Sequence, residues 1–172
     1  MIYGMGLPRH GGQTLKNALH AIFGPEFKYY HSVSFTHWHV AAEPTTMAVL
    51  ECFAPIKWCV ENFRQCEHCF IVNRRIDTQA WLASMKKVHR RAHDERWNHP
   101  IWCYHPSQWE RYAEEYYDSL EDQMYLQDQT HNVIHIDPTT CGREGFEDLC
   151  AAFGRPVPTC DWPNVDEFGR QK

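Results

Sequence analysis

The chain has 172 residues, a length that favours one domain spanning residues 1–172. Its composition of 43% hydrophobic and 23% charged residues excludes a disordered, collagen-like or low-complexity protein. No apolar run approaches the roughly 18 residues of a membrane span, and no signal-peptide pattern is present, which predicts a cytoplasmic protein that does not contact membranes. The net charge of −5 argues against a nucleic-acid partner for the chain as a whole.

The first third of the chain alternates between strand-like and helix-like segments. Residues 2–7 form a short apolar run that predicts a buried strand, and residues 11–24 carry apolar side chains at helical spacing. Residues 27–33 are aromatic and partly alternating, which predicts a second strand. Residues 44–66 predict two helical pieces separated at Pro55.

The middle of the chain contains the clearest strand and the clearest helix start. Residues 69–73 are continuously apolar, as a central parallel strand tends to be. Asp77 then predicts the N-cap of a helix that runs to about His93. Residues 94–106 are rich in Trp, His and Pro and show no period that favours a helix or a strand.

The last third predicts a long acidic helix, a strand and a final helix, over residues 107–127, 132–136 and 145–153. Strands that alternate with helices throughout the chain predict an α/β fold of three layers, with a mostly parallel central sheet flanked by helices.

Charge is distributed unevenly over this pattern. Residues 74–96 contain seven basic and three acidic residues, whereas residues 107–128 contain seven acidic residues and one arginine. A basic stretch of this kind is usually a solvated helix face. Because Arg74 and Arg75 follow a predicted strand, anion binding is the alternative for these two residues.

The eight cysteines do not form a recognisable metal or redox motif. Cys66 and Cys69 are three apart with Cys59 nearby, but a zinc site commonly needs a second such pair and the chain has none. A thioredoxin-like pair would follow a strand, whereas this one precedes the strand at residues 69–73. We therefore expect reduced thiols and no bound metal.

The segment that joins the first strand to the first helix predicts a phosphate site. A turn containing glycines there directs free backbone N–H groups and the positive end of a helix dipole toward one point. The spacing of Gly6 and Gly11 matches that of a Walker A loop, but Gly12 and Gln13 replace its lysine and hydroxyl residue. A glycine-rich turn without a ligand is the structural alternative.

Three segments, taken in order, resemble small, bacterial- or viral-type members of the family of PAPS-dependent sulfotransferases, and this resemblance implies a P-loop-like fold. The first resembles the loop that binds the 5′-phosphosulfate: Pro8-Arg9-His10-Gly11-Gly12-Gln13-Thr14-Leu15. The second resembles the strand, arginine and serine that bind the 3′-phosphate: residues 70–75 followed by residues 81–84. Residues 145–164 resemble the C-terminal end of bacterial-type members.

The resemblance implies a sulfotransferase that uses PAPS as donor, releases PAP and needs no metal. It implies that Arg9 stabilises the phosphosulfate with the rest of residues 8–14, and that Ser84 and one of Arg74 and Arg75 hold the 3′-phosphate, Arg75 being the first choice. Lys16 is a further possible cation. Two departures stand out: hydroxyl residues usual in the loop are absent at Gly12 and Gln13, and the interval from Arg75 to Ser84 is nine rather than eight.

An alcohol or amine acceptor also requires a general base, and a histidine suits this role. The resemblance indicates the region after the second predicted strand, where we expect His37 to be the base with His39 in reserve. Glu43 and His31 are the next candidates.

The acceptor is a small molecule or a glycan that the sequence does not specify further. The aromatic residues Trp97, Trp102, Tyr104 and Trp109 either line its pocket or form a small core beneath a loop. Two other functions stay open at this point: a P-loop nucleotide or nucleoside kinase, against which the missing loop lysine argues, and a catalytically silent nucleotide-binding protein. The oligomeric state is not predicted.

Overall fold

The computed structural model describes residues 1–25, 27–31, 47–50, 55–62, 67–94 and 99–163. The strands in these ranges are β1 (Ile2–Gly4), β2 (Lys28–His31), β3 (Met47–Leu50), β4 (Cys69–Asn73) and β5 (Val133–Ile136). The α-helices are α1 (Gly12–Phe23), α2 (Ile56–Asn62), α3 (Thr78–Asp94), α4 (Trp109–Leu126) and α5 (Gly142–Phe153). Short 3-10 helices cover Pro100–Cys103, Pro106–Gln108 and Thr130–Asn132.

Most of the predicted elements are present, and one is corrected. Residues 44–66 were expected to form two helical pieces, but Met47–Leu50 is a strand, and the helix begins only at Ile56. A short apolar run has the same pattern in a buried strand and in a buried helix, so its period does not distinguish them. Asp77 caps α3 as predicted, because its Oδ1 accepts a hydrogen bond from the Ala80 N–H at 2.8 Å.

The five strands form one sheet in the order β2-β3-β1-β4-β5, and each neighbouring pair is parallel. This confirms the predicted α/β class with a parallel sheet. Strand β1 lies at the centre, where Tyr3 is opposite Phe70 of β4.

Apolar side chains project from both faces of the sheet, because successive side chains of a strand point to opposite faces. Tyr3, Phe70 and Val72 pack with α2, α3 and α4 in one cluster, which includes the fully buried Trp81 and Trp109. The opposite face packs against α1 and α5 through a second cluster: Ile2, Leu15, Ala18, Leu19, Phe27, Ile71, Ile136, Phe146 and Leu149. Among the described residues, no helix combines the length and the apolar character needed to cross a bilayer.

The strand order creates a crevice at the carboxyl end of the two central strands. From β1 the chain passes through α1 to β2 on one side, whereas from β4 it passes through α3 and α4 to β5 on the other. The connections that follow β1 and β4 therefore run to opposite sides of the sheet, and open α/β sheets bind ligands at such a switch point.

Candidate functional site

Three loops meet at this edge of the sheet. We call residues 5–11 after β1 the first loop, residues 74–77 after β4 the second loop, and residues 137–141 after β5 the third loop. The Ile76 N–H of the second loop donates to Asp137 Oδ2 of the third at 2.9 Å. Hydrogen bonds from Thr139 and Ile76 hold the pKa of Asp137 below its usual value, although burial acts in the opposite direction.

The first loop has a tight, partly left-handed backbone. Arg9 has φ +67° and Gly11 has φ +85°, and the His10 N–H donates to Leu7 O at 3.2 Å. A Cβ at residue 11 would lie 2.9 Å from Pro138 Cβ, so glycine is required there for space as well as for its φ. Gly11 is the N-cap of α1 and provides no side-chain acceptor, which leaves the first N–H groups of that helix for another partner.

Side chains from β4 and α3 hold the first loop in this shape. Trp81 Nε1–H donates to Pro8 O at 3.0 Å, and Asn73 Nδ2–H donates to His10 O at 3.2 Å. Gly6 lies directly against Asn73, since a Cβ at residue 6 would be 2.0 Å from Asn73 Nδ2. The loop is therefore held in part through the backbone carbonyls of Pro8 and His10.

His10 joins the first and second loops, and its ring is only 2% exposed. Its Nδ1 accepts the Arg75 N–H at 3.0 Å, so the ring hydrogen is on Nε2. Burial, and then the charge of Arg74, lower the pKa of His10 to about 3 despite an opposing effect of Asp137. His10 is therefore neutral near pH 7, and its buried Nε2 has no hydrogen-bond partner within the described ranges.

The two arginines of the second loop line one cleft with His10 and Trp81. Strand β4 ends at Asn73, so neither arginine belongs to the strand and strand alternation does not determine which way their side chains point. Arg74 is exposed, and its guanidinium lies 4.8 Å from the centre of the Tyr117 ring.

Arg75 is half-buried, and its Nε is buried without a hydrogen-bond partner in the part of the chain described. Within that same part, neither Arg74 nor Arg75 forms an ion pair. Glu110 and Glu114 of α4 also line the cleft.

Arg9 and Ser84 are in direct contact. The Arg9 Nε–H donates to Ser84 Oγ at 2.9 Å, and both side chains are half-buried. This bond connects the first loop to the second turn of α3. It brings together two residues that the resemblance assigns to the two phosphate sites of one nucleotide.

The remaining loop residues have other contacts. Gln13 Nε2–H donates to Asn17 Oδ1 at 3.3 Å, one turn along α1, and Thr14 is buried. Pro8 and Gly12 are also buried. Lys16 lies with its Nζ 4.1 Å from the centre of the Tyr29 ring, on the side of β2 rather than at the first loop.

The candidate bases are not tested by the structure. His37, His39 and Glu43 lie outside the described residues. His31 ends β2, but its side chain is not among those described.

The aromatic segment is largely core. Trp102 and Trp109 are buried and pack edge to face at 6.1 Å, and Trp109 Nε1–H donates to Ile101 O. Tyr104 is exposed and packs against Tyr112 at 4.9 Å. Trp97 lies outside the described residues.

The described cysteines carry thiols rather than disulfides: Cys59, Cys69, Cys103, Cys141, Cys150 and Cys160. Burial raises the pKa of the Cys69 and Cys141 thiols to about 11, which makes them poor nucleophiles near neutral pH. Cys66 lies outside the described ranges, within which no three potential ligands among His, Cys, Asp and Glu cluster. Reduced, metal-free cysteines stay a prediction.

Sequence analysis missed three residues that build the site: Asn73, Tyr117 and Asp137. Asn73 is the last residue of β4 and Asp137 follows β5, so each is a polar group at the carboxyl end of an apolar strand. That position is the signal that would have found them. Tyr117 lies on the buried side of α4, and no local pattern distinguishes it from an ordinary core residue.

Comparison with known proteins does not assign the chain to a family. No model of a known protein family matches the chain, and a search of curated proteins finds no relative.

Proposed function

We propose that this protein is a PAPS-dependent sulfotransferase with a P-loop-like three-layer fold. One observation carries the proposal: Arg9 Nε lies 2.9 Å from Ser84 Oγ, so the segments that resemble the 5′- and 3′-phosphate sites of the family meet, although 75 residues separate them in sequence. The parallel pairing of β1 and β4 places both segments at one edge of the sheet, and the contact between Arg9 and Ser84 then joins them directly at the switch point.

Two groups of donors suit the two ends of a 3′-phosphorylated nucleotide. Arg9 and the first N–H groups of α1 suit the 5′-phosphosulfate, because a guanidinium pairs with two oxygens and a helix start favours an anion. Arg75 suits the 3′-phosphate: its buried Nε, like Nε2 of His10, has no partner within the described ranges. An unpaired buried donor costs about 1–3 kcal/mol, which a bound oxyanion would recover.

The reaction is an in-line transfer. The acceptor oxygen or nitrogen forms a bond to sulfur while the bond from sulfur to the 5′-phosphate oxygen breaks, and that oxygen keeps the electron pair. Arg9 neutralises charge on the leaving phosphate and on the sulfuryl oxygens. His37 is the proposed base that takes the acceptor proton, with His39 in reserve and Glu43 or His31 next. The proposal includes no metal, since the sulfuryl group carries less charge than an ATP γ-phosphate.

Calorimetry with 3′,5′-ADP, 5′-AMP and ATP tests donor recognition. We expect 3′,5′-ADP to bind most tightly, and Arg75→Ala to weaken it about 10- to 100-fold while leaving 5′-AMP nearly unchanged. Arg74→Ala is the matched control; a selective loss there instead would give Arg74 the 3′-phosphate. Equal affinity for 5′-AMP and 3′,5′-ADP would refute the 3′ site, and preference for Mg-ATP would favour a kinase.

Turnover tests the base once an acceptor has been found. His37→Ala should lower the rate about 10²- to 10⁴-fold and leave 3′,5′-ADP affinity unchanged, since the base does not touch the nucleotide. Near-normal turnover in both His37→Ala and His39→Ala would move the assignment to Glu43 or His31.

A further inference from the structure

The hydroxyl of Tyr117 lies at the junction of the first loop and the end of β4. Its oxygen is 3.3 Å from Leu7 N, 2.9 Å from His10 Nδ1 and 3.1 Å from Asn73 O. Tyr117 belongs to α4 and is 2% exposed. One hydroxyl from a distant helix thus contacts two positions of the first loop and the residue immediately before the second.

The hydrogens in this group can be assigned from the donors around it. The Leu7 N–H donates to the Tyr117 oxygen, and the Arg75 N–H donates to His10 Nδ1. Nδ1 therefore carries no hydrogen, and the Tyr117 hydrogen is shared between His10 Nδ1 and Asn73 O. Burial raises the pKa of Tyr117 well above its usual value, so the hydroxyl stays protonated.

The ring of Tyr117 supports the second loop as well, because the Arg74 guanidinium lies 4.8 Å from its centre. The chain of contacts runs from the Leu7 backbone through Tyr117 and His10 to the Arg75 backbone. If either loop moved, a buried donor or acceptor would lose its hydrogen-bond partner, which is unfavourable in a buried site.

We propose that Tyr117 is a positioning residue that fixes the first and second loops relative to each other, so that both phosphates of a 3′,5′-bisphosphorylated nucleotide bind as one unit. This inference rests on the proposed function. When two anion sites are already held at the correct separation, a ligand with two phosphates binds without the entropic cost of ordering the loops. A ligand with one phosphate occupies only one of the sites, so its affinity depends less on their separation.

Tyr117→Phe tests the hydroxyl, because phenylalanine keeps the ring beneath Arg74. We expect 3′,5′-ADP affinity to fall about 10-fold and 5′-AMP affinity to fall much less. Tyr116→Phe removes a hydroxyl from the neighbouring residue of α4 and should leave both affinities unchanged. Tyr117→Met also removes the hydroxyl and should give the same selective loss, which provides a second variant if Tyr117→Phe folds poorly.

A double-mutant cycle separates positioning from general destabilisation. Arg75→Ala should cost less affinity for 3′,5′-ADP in the Tyr117→Phe background than in the wild type, since Arg75 is already displaced there. Additive losses, or equal losses for 3′,5′-ADP and 5′-AMP, would overturn the proposal.

Amide hydrogen exchange of the free protein gives a result that needs no nucleotide. Tyr117→Phe should speed exchange at Leu7 and Arg75, the two backbone donors of the chain of contacts, and leave the amides of α5 unchanged. Such local opening in a protein that binds neither nucleotide would refute the proposed function while supporting the role of Tyr117. Unchanged exchange at both amides would overturn that role.

Discussion

The neutral, buried His10 makes the stability of the fold depend on pH between about 3 and 6.5. Its pKa falls from 6.5 to about 3 in the folded protein, first because of burial and then because of Arg74. Within that window the unfolded chain binds a proton at this residue and the folded chain does not. The contribution of His10 to stability is therefore complete above pH 6.5 and is lost as the pH falls.

The size of the effect follows from the linkage between protonation and folding. Each pH unit within the window changes the free energy of unfolding by 1.36 kcal/mol, so acidification from pH 7 to pH 5 costs about 2 kcal/mol through His10. His99, whose pKa is lowered by burial to about 4, adds a loss of about the same size. Together these losses are a large part of the roughly 5–15 kcal/mol by which a domain is stable.

Urea unfolding at pH 7, 6 and 5 measures this dependence for the wild type and two variants. His10→Asn places a non-titrating acceptor near the position of Nδ1, so its free energy of unfolding should fall about 2 kcal/mol less over this range than that of the wild type. His99→Asn is the second variant: the His99 Nδ1 accepts the Ile101 N–H at 3.0 Å and burial lowers the pKa of His99 to about 4, so a similarly smaller fall is expected.

Parallel pH curves for the wild type and His10→Asn would refute the reasoning. That result would mean that His10 titrates in the folded protein as it does in the unfolded chain. Its ring would then be accessible to water, and the Arg75 N–H would not be held by an unprotonated Nδ1.

Two further substitutions test the shape of the first loop. Gly6→Ala should destabilise the protein by about 1–3 kcal/mol in urea unfolding, because the new Cβ would lie 2.0 Å from the Asn73 side chain, which is itself bound to His10 O. An unchanged unfolding midpoint would contradict this contact. Arg9→Gly should be about 1–2 kcal/mol more stable than Arg9→Ala, because glycine accepts φ +67° without strain and alanine does not. Both variants should lose nucleotide affinity in calorimetry. Equal stabilities would show that residue 9 does not keep this backbone conformation.

Local sequence pattern was enough to predict the elements that position the site. The apolar run at residues 69–73 is a strand with those same bounds, and Asp77 caps the following helix. Gly11 lies where the first strand turns into α1, and the first loop has the left-handed backbone that such a turn needs. These features depend on neighbouring residues alone, through side-chain period, capping and glycine geometry.

Local sequence pattern was not enough to predict the conformation of a short segment that is determined by the elements packed around it. Met47–Leu50 is a strand because it lies between β1 and β2, and four apolar residues carry no period that indicates this.

Reading the residues in order was enough to identify the groups available at this edge of the sheet: a glycine-containing loop, two adjacent arginines and a serine in the helix that follows them. Three features required the folded chain: the contact of Arg9 with Ser84, the buried Nε of Arg75 that has no partner in the described part of the chain, and the link that Tyr117 forms between the two loops. The contacts behind these features join residues 40 or more positions apart, and such pairs are brought together by strand order and helix packing, which depend on the burial of apolar surface over the whole chain.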